Sequence, residues 1–95
     1  MYYRIILKGD GILLNYDNKI GNYSFFRVVY VNESSVDHAI ALGRRIVLDD
    51  LRLISLNDDI GAIQIGCEEC IELPDGDDSI NQKYGFMWAP SEVNR

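Results

Sequence analysis

The chain has 95 residues, of which 47% are hydrophobic and 11% aromatic, and this composition indicates one folded domain, residues 1–95, rather than a disordered chain. Its formal net charge is −6 at pH 7. No apolar run reaches the roughly 18 residues of a membrane span, and the chain does not open with a signal-peptide pattern, so we expect a cytoplasmic protein without a membrane partner.

The first two predicted elements are strands. Residues 2–8, YYRIILK, are rich in aromatic and β-branched types and place Tyr3, Ile5 and Leu7 on one face. Gly9-Asp10-Gly11 predicts a turn or bulge, beyond which residues 12–16 can prolong the strand. The second strand, residues 23–31, is apolar on both faces, which is typical of a strand buried on both faces.

An amphipathic helix follows. Ser34 can accept a hydrogen bond from the backbone N–H of Asp37, so we expect the helix to begin there. Its apolar stripe is formed by Val36, Ala39, Ile40, Gly43, Ile46 and Val47. Asp50 falls inside that stripe, which predicts an end or kink near residues 49–52. His38 is predicted to face solvent, with a role as general base or ligand as the alternative.

Residues 62–73 alternate as a third strand and contain both cysteines of the chain, Cys67 and Cys70. In a regular strand these two thiols point to opposite faces with α-carbons roughly 10 Å apart, too far for a disulfide. They also leave a zinc site short of ligands, so we interpret them as structural thiols and expect no metal or cofactor. The alternative is a bulge at Glu68-Glu69 that brings the sulfurs together.

Glu69 breaks the alternation, because in a regular strand its carboxylate faces inward. It then needs a cationic partner, for which Arg27 is the candidate, or a position at an open sheet edge. A functional carboxylate is the alternative interpretation.

The negative charge is concentrated in this part of the chain. No Lys or Arg occurs between Arg52 and Lys83, whereas eight Asp and Glu residues do, so this stretch carries −8 and the rest of the chain +2. Such a stretch repels phosphate, so we expect no direct nucleic-acid partner and predict a basic protein partner instead. The predicted partner-binding residues are Glu68, Glu72, Asp75, Asp77 and Asp78. The alternatives are a merely solvated face and, more weakly, a calcium loop that lacks the EF-hand spacing.

A short last strand carries Tyr84, Phe86 and Trp88 in alternation and stops at Pro90. The order strand, strand, helix, strand, strand predicts an α+β domain with an antiparallel sheet of about four strands and one main helix on one face. Something must cover the other face. The candidates are the Phe86–Trp88 segment and a second copy of the protein, and we expect a homodimer.

Residues 3–12, YRIILKGDGI, with the later strand, helix and short aromatic strand, resemble a small, functionally uncharacterised bacterial family. Its members open with aromatic-Arg-Ile-Ile-Leu-Lys-Gly-x-Gly-Ile. The match is specific over about ten residues and schematic elsewhere. The resemblance implies a ferredoxin-like α/β sandwich and implies no activity.

No nucleophile, base and orienting group can be assembled from local sequence, so we expect no catalytic residues and no enzyme. The sequence favours a small acidic interaction protein, of the inhibitor, immunity or phage anti-defence type, that occupies a basic site on a nuclease or nucleic-acid-binding protein. The alternative is a dimeric regulatory module that binds a small ligand between sheet and helix.

Overall fold

The computed structural model describes residues 1–75 and 85–91. In chain order its elements are β1 (Tyr2–Tyr16), β2 (Lys19–Asn32), α1 (Val36–Ile54), one turn of 3-10 helix (Ile60–Ala62), β3 (Ile65–Leu73) and β4 (Phe86–Pro90). The four strands form one antiparallel sheet in the order β3-β1-β2-β4. The predicted α+β order and the four-stranded antiparallel sheet with one main helix are confirmed. Over the described ranges, no helix combines the length and apolar character that crossing a membrane would need.

β1 and β2 form a long hairpin. Its turn residues Asp17 and Asn18 have φ angles of 54° and 63°, the left-handed conformation that a two-residue type I′ turn requires. The register shifts between Gly9 and Ile12, and Gly11 has a φ of 75°, so the predicted break is a bulge inside one continuous strand. Beyond the bulge, the backbone N–H of Leu56 donates to the carbonyl of Leu13 at 2.7 Å, which covers the edge of β1 where β3 is absent.

The helix begins one residue later than predicted. Ser35, not Ser34, is the N-cap, and its hydroxyl accepts from the backbone N–H of His38 at 3.2 Å. His38 is exposed, as predicted. The helix continues to Ile54, two residues past the predicted end or kink near residues 49–52, and Asp50 is paired with Arg27 of β2.

The core lies between α1 and one face of the sheet. On the helix side it contains Ala39, Val47 and Leu51, each 0% exposed. The sheet contributes Tyr3, Ile5, Leu7, Ile12, Leu14, Phe25, Val29, Val31 and Ile65. Gly43 lets the helix approach closely, since a Cβ there would stand 3.2 Å from a methyl carbon of Val29. The prediction that Tyr3, Ile5 and Leu7 share one face of β1 is confirmed, and that face lies in the core.

β4 joins the sheet beside β2 and does not fold over its outer face. Phe86 and Trp88 point toward the core, where their rings lie 5.2 and 5.8 Å from that of Phe25. The Phe86–Trp88 segment does not cover the outer face of the sheet, so that candidate is wrong. Two of its three side chains, Phe86 and Trp88, lie on the helix side. Tyr84, the predicted start of this strand, lies outside the described residues.

Candidate interaction surfaces

A bulge in β3 decides which way each acidic side chain points. Leu7 of β1 pairs with Cys67 and Ile6 pairs with Glu69, so Glu68 is one extra residue between them. The regular alternation predicted for residues 62–73 is therefore wrong. Glu68 and Glu69 lie on the outer face of the sheet, away from α1, whereas Glu72 pairs with Tyr3 and lies on the helix side. The bulge thus separates two of the predicted partner-binding residues.

The two outward carboxylates are compensated by cations of β1. Glu69 Oε2 lies 3.1 Å from Arg4 Nη2, and Glu68 Oε1 lies 3.8 Å from Lys8 Nζ. The predicted inward orientation of Glu69 and its pairing with Arg27 are wrong, because the extra residue turns Glu69 outward. Its surface ion pair and its place on an edge strand favour the structural interpretation of this carboxylate.

The end of β3 carries negative charge that no cation among the described residues pairs with. Glu72 and Asp75 are exposed, and within residues 1–75 and 85–91 neither forms an ion pair. Asp77 and Asp78 come directly after in the sequence and lie outside the described residues. We call the sequence 72–78, which holds these four carboxylates, the acidic segment.

Asp58 and Asp59 belong to the same stretch without Lys or Arg, between Arg52 and Lys83, but they lie away from the acidic segment. Their neighbour Asn57 accepts from the backbone N–H of Leu13 at 2.8 Å, whereas Leu73 pairs with Tyr2 at the other end of β1. Asp59 caps the 3-10 turn by accepting from the backbone N–H of Gly61 at 3.1 Å. The stretch is therefore not one continuous acidic surface.

The bulge also places both thiols on the same face, so their predicted separation onto opposite faces is wrong. Cys67 and Cys70 pair with Leu7 and Ile5, pack against the core and are free. Burial, together with the neighbouring Cys67, raises the pKa of the Cys70 thiol. Burial, followed by the charges of Glu72 and Cys70, likewise raises the pKa of the Tyr3 phenol. A raised thiol pKa reduces the thiolate fraction at neutral pH, the opposite of what a reactive cysteine needs.

Other chemistry finds little support in the described part of the chain. No group of three or more His, Cys, Asp or Glu side chains there could hold a metal ion. The Ser34 hydroxyl lies 3.1 Å from His38 Nδ1 at the exposed start of α1.

An open hollow of about 520 Å³ lies beside the β1 bulge, lined by Lys8, Gly9, Asp10, Gln64, Ile65 and Gly66. Asp10 accepts from Ser91 Oγ at 2.5 Å and from the backbone N–H of Gly11, and these hydrogen bonds lower the pKa of its carboxyl.

The second surface is the outer face of the sheet, opposite α1, and we call it the open sheet face. Its apolar side chains are Tyr2, Ile6, Phe26, Val28, Tyr30, Ile71, Leu73 and Met87. Tyr2 is 42% exposed, Phe26 41% and Met87 58%. The two-faced pattern of β2 indicated part of this surface. Ile71 and Leu73 lie on it because the β3 bulge reverses the facing of every residue after Glu68, which the alternation of the sequence does not predict.

Comparison of the chain with models of protein families, with curated proteins and with solved structures gives no match. The resemblance of residues 3–12 to a bacterial family and the ferredoxin-like assignment that it implies therefore stay predictions.

Proposed function

We propose that this protein is a small, non-enzymatic interaction protein that binds a basic site on another protein through its acidic segment. It is of the inhibitor, immunity or anti-defence type, and its partner is a nuclease or nucleic-acid-binding protein. The observation that carries the proposal is the exposed charge of Glu72 and Asp75 at the end of an edge strand, with which no cation of residues 1–75 and 85–91 forms an ion pair. Fixed charge of one sign accelerates association with an oppositely charged partner.

The bulge refines which residues take part. Glu72 and Asp75 belong to the binding surface together with Asp77 and Asp78. Glu68 contributes less, because Lys8 lies beside it and an exposed ion pair already satisfies part of its charge. The partner then contacts the end of β3 and the acidic residues beyond it rather than one whole face of the strand.

The remaining observations agree with a binding role. Both thiols pack against the core, and burial raises the pKa of the Cys70 thiol, which disfavours the thiolate that a nucleophile needs. The alternative, a regulatory module with a ligand between sheet and helix, loses support. Ala39, Val47 and Leu51 are 0% exposed at that interface, so solvent does not reach these side chains.

The experiment is a charge reversal in the acidic segment. The full chain is immobilised, proteins from the native host are captured, and the captured partner is then titrated against purified variants. Asp75→Lys/Asp77→Lys/Asp78→Lys should weaken binding by at least about tenfold, equivalent to 1.4 kcal/mol. It should also flatten the dependence of association rate on salt, because steering by exposed charges is screened.

Asp58→Lys/Asp59→Lys is the matched control, because it reverses charge in the same basic-free stretch at the other end of β1. We expect it to keep most of the affinity. Equal affinity and salt dependence for the acidic-segment variant and the wild type would refute the proposal. Equal losses in both variants would assign the effect to net charge and not to this segment.

A further inference from the structure

The bulge in β3 brings the two thiols of the chain side by side. Cys67 pairs with Leu7 and Cys70 with Ile5, and Ile5 and Leu7 are neighbours on the helix side of β1. Residues two apart in a strand are about 6.6 Å apart, so the α-carbons of the two cysteines have roughly this separation and not the roughly 10 Å of a regular strand. Both thiols are free, half-buried and packed against the apolar core.

The two thiols already influence each other. After burial, the charge of Cys67 is the next cause of the raised pKa of the Cys70 thiol. Two thiolates on one face repel each other, and low exposure strengthens the repulsion. A cation held between the two sulfurs would remove it.

The spacing suits an ion between the sulfurs better than a bond between them. A disulfide needs β-carbons about 3.5–4.5 Å apart, whereas neighbouring side chains on one face of a strand leave the backbone about 6.6 Å apart. A metal–sulfur bond measures about 2.3 Å, so a linear sulfur–metal–sulfur unit spans about 4.6 Å. The two Cβ–Sγ bonds, inclined toward each other, cover the remaining distance.

The supply of soft donors decides which ion fits. Outside the described ranges the sequence holds no Cys, His or Met. Within them, Met87 lies on the opposite face of the sheet, His38 lies at the exposed start of α1, and Met1 is four residues, about 13 Å, from Ile5. No third His, Cys, Asp or Glu of residues 1–75 and 85–91 joins the two thiols in a group that could hold a metal ion.

Two sulfur ligands are too few for a structural zinc ion or an iron–sulfur cluster, which take four protein ligands. They are sufficient for the cuprous ion, a soft monovalent cation that thiolates select and that accepts two ligands in line. The prediction of no metal followed from the ligand number of zinc, and a two-ligand ion is not subject to that limit.

We propose that Cys67 and Cys70 form a binding site for one cuprous ion, held in line between the two sulfurs at the β3 bulge. The ion displaces both thiol protons to solvent, and one cation with two thiolates gives a net charge of −1. Arg44 Nε donates to the carbonyl oxygen of Ile65 at 2.9 Å, which brings a positive charge to the start of the same strand.

The test is anaerobic titration of the reduced full chain with Cu(I), in competition with a chromogenic Cu(I) chelator. The wild type should bind one ion per chain and release about two protons per ion. X-ray absorption at the copper edge should show two sulfur neighbours. Cys67→Ser and Cys70→Ser should each raise the dissociation constant by at least about a hundredfold, because each leaves a single sulfur ligand. Far-ultraviolet circular dichroism verifies that each variant is folded.

His38→Ala and Met87→Leu are the matched controls, since each removes a different exposed soft donor, and both should keep the wild-type affinity. Equal affinity in the wild type and the serine variants would overturn the proposal. One ion shared between two chains would overturn it too, because the site would then have four sulfurs. If a serine variant unfolds, the stoichiometry and proton release of the wild type still decide.

This site goes beyond the proposed function and does not depend on it. The serine variants keep every carboxylate of the acidic segment, and the charge reversals at Asp75, Asp77 and Asp78 keep both thiols. Loss of copper binding with partner binding intact, or the reverse, therefore identifies which of the two proposals has failed.

Discussion

Gly9 lies where the backbone of β1 passes beneath the ring of Phe25. A Cβ at this position would stand 2.4 Å from Phe25 Cε2 and 2.7 Å from its Cζ. The ring cannot move away at low cost, because Phe25 is 1% exposed and Phe86 and Trp88 pack against it. Overfilling a packed core forces side chains from their preferred rotamers. Glycine at this position is thus a packing requirement.

Gly9→Ala should therefore lower the free energy of unfolding by about 1–3 kcal/mol. Urea unfolding followed by circular dichroism measures the change. Gly66→Ala is the matched control, because Gly66 lies in the neighbouring strand and a Cβ there would meet no atom within 4 Å. The control should stay within about 0.5 kcal/mol of the wild type. Equal losses in the two variants would contradict the packing explanation.

The orientation of Glu69 shows the limit of single-residue prediction from this sequence. The pattern Cys67-Glu68-Glu69-Cys70 admits a regular strand and a bulged one, and the two differ in the face that every residue after Glu68 occupies. What decides between them is the register with β1, where Ile6 meets Glu69 and Arg4 supplies its partner. That register is a long-range contact that no local alternation encodes.

At the scale of elements, the pairing of Arg27 with Asp50 joins β2 to α1. Arg27 Nη1 donates to Asp50 Oδ2, and its guanidinium lies 4.7 Å from the centroid of the Phe86 ring. The apolar stripe predicted most of the packed face of α1, although Val36 at its start is 46% exposed, and it predicted an early end because Asp50 interrupts it. A cation 23 residues earlier in the chain satisfies that carboxylate, and periodicity within the helix does not contain this information.

Asp50→Ala should lower the free energy of unfolding by about 1–2 kcal/mol. The Arg27 side chain is 15% exposed and would lose its partner, whereas the 43% exposure of Asp50 limits the loss by solvent screening. Asp49→Ala is the control, since Asp49 and Arg52 form an ion pair with both side chains 55% exposed. It should cost less than about 0.5 kcal/mol. If chemical denaturation shows no difference between the two variants, the Arg27 pairing does not stabilise the helix.

At the scale of the whole molecule, the order of elements and the one-sided helix could be predicted from periodicity, because strands and helices repeat with periods of about 2.0 and 3.6 residues. The neighbours of each strand could not, and the order β3-β1-β2-β4 places the acidic strand and the aromatic strand at opposite edges. The stretch without Lys or Arg was recognisable from the sequence alone. Which carboxylates of β3 are compensated depends on β1, which supplies Arg4 to Glu69 and Lys8 to Glu68.

This placement makes β4 the element that completes the core at one edge. Trp88 stacks on Phe86 at a centroid distance of 4.8 Å, and both rings contact Phe25. The adjacent residue, Met87, points to the open sheet face. A domain of this size has a free energy of unfolding of about 5–15 kcal/mol, so one aromatic cluster is a large share of it.

Trp88→Ala should then lower the free energy of unfolding by about 2–3 kcal/mol, less than for a fully buried ring because Trp88 is half-buried. Met87→Ala, measured at a concentration where any dimer is dissociated, should cost less than about 1 kcal/mol because its side chain is 58% exposed. Urea unfolding of both variants is followed by far-ultraviolet circular dichroism and not by tryptophan fluorescence, because Trp88→Ala removes the single Trp of the chain. A small effect of Trp88→Ala would mean that the core is complete without β4, and the sheet would then end at β2.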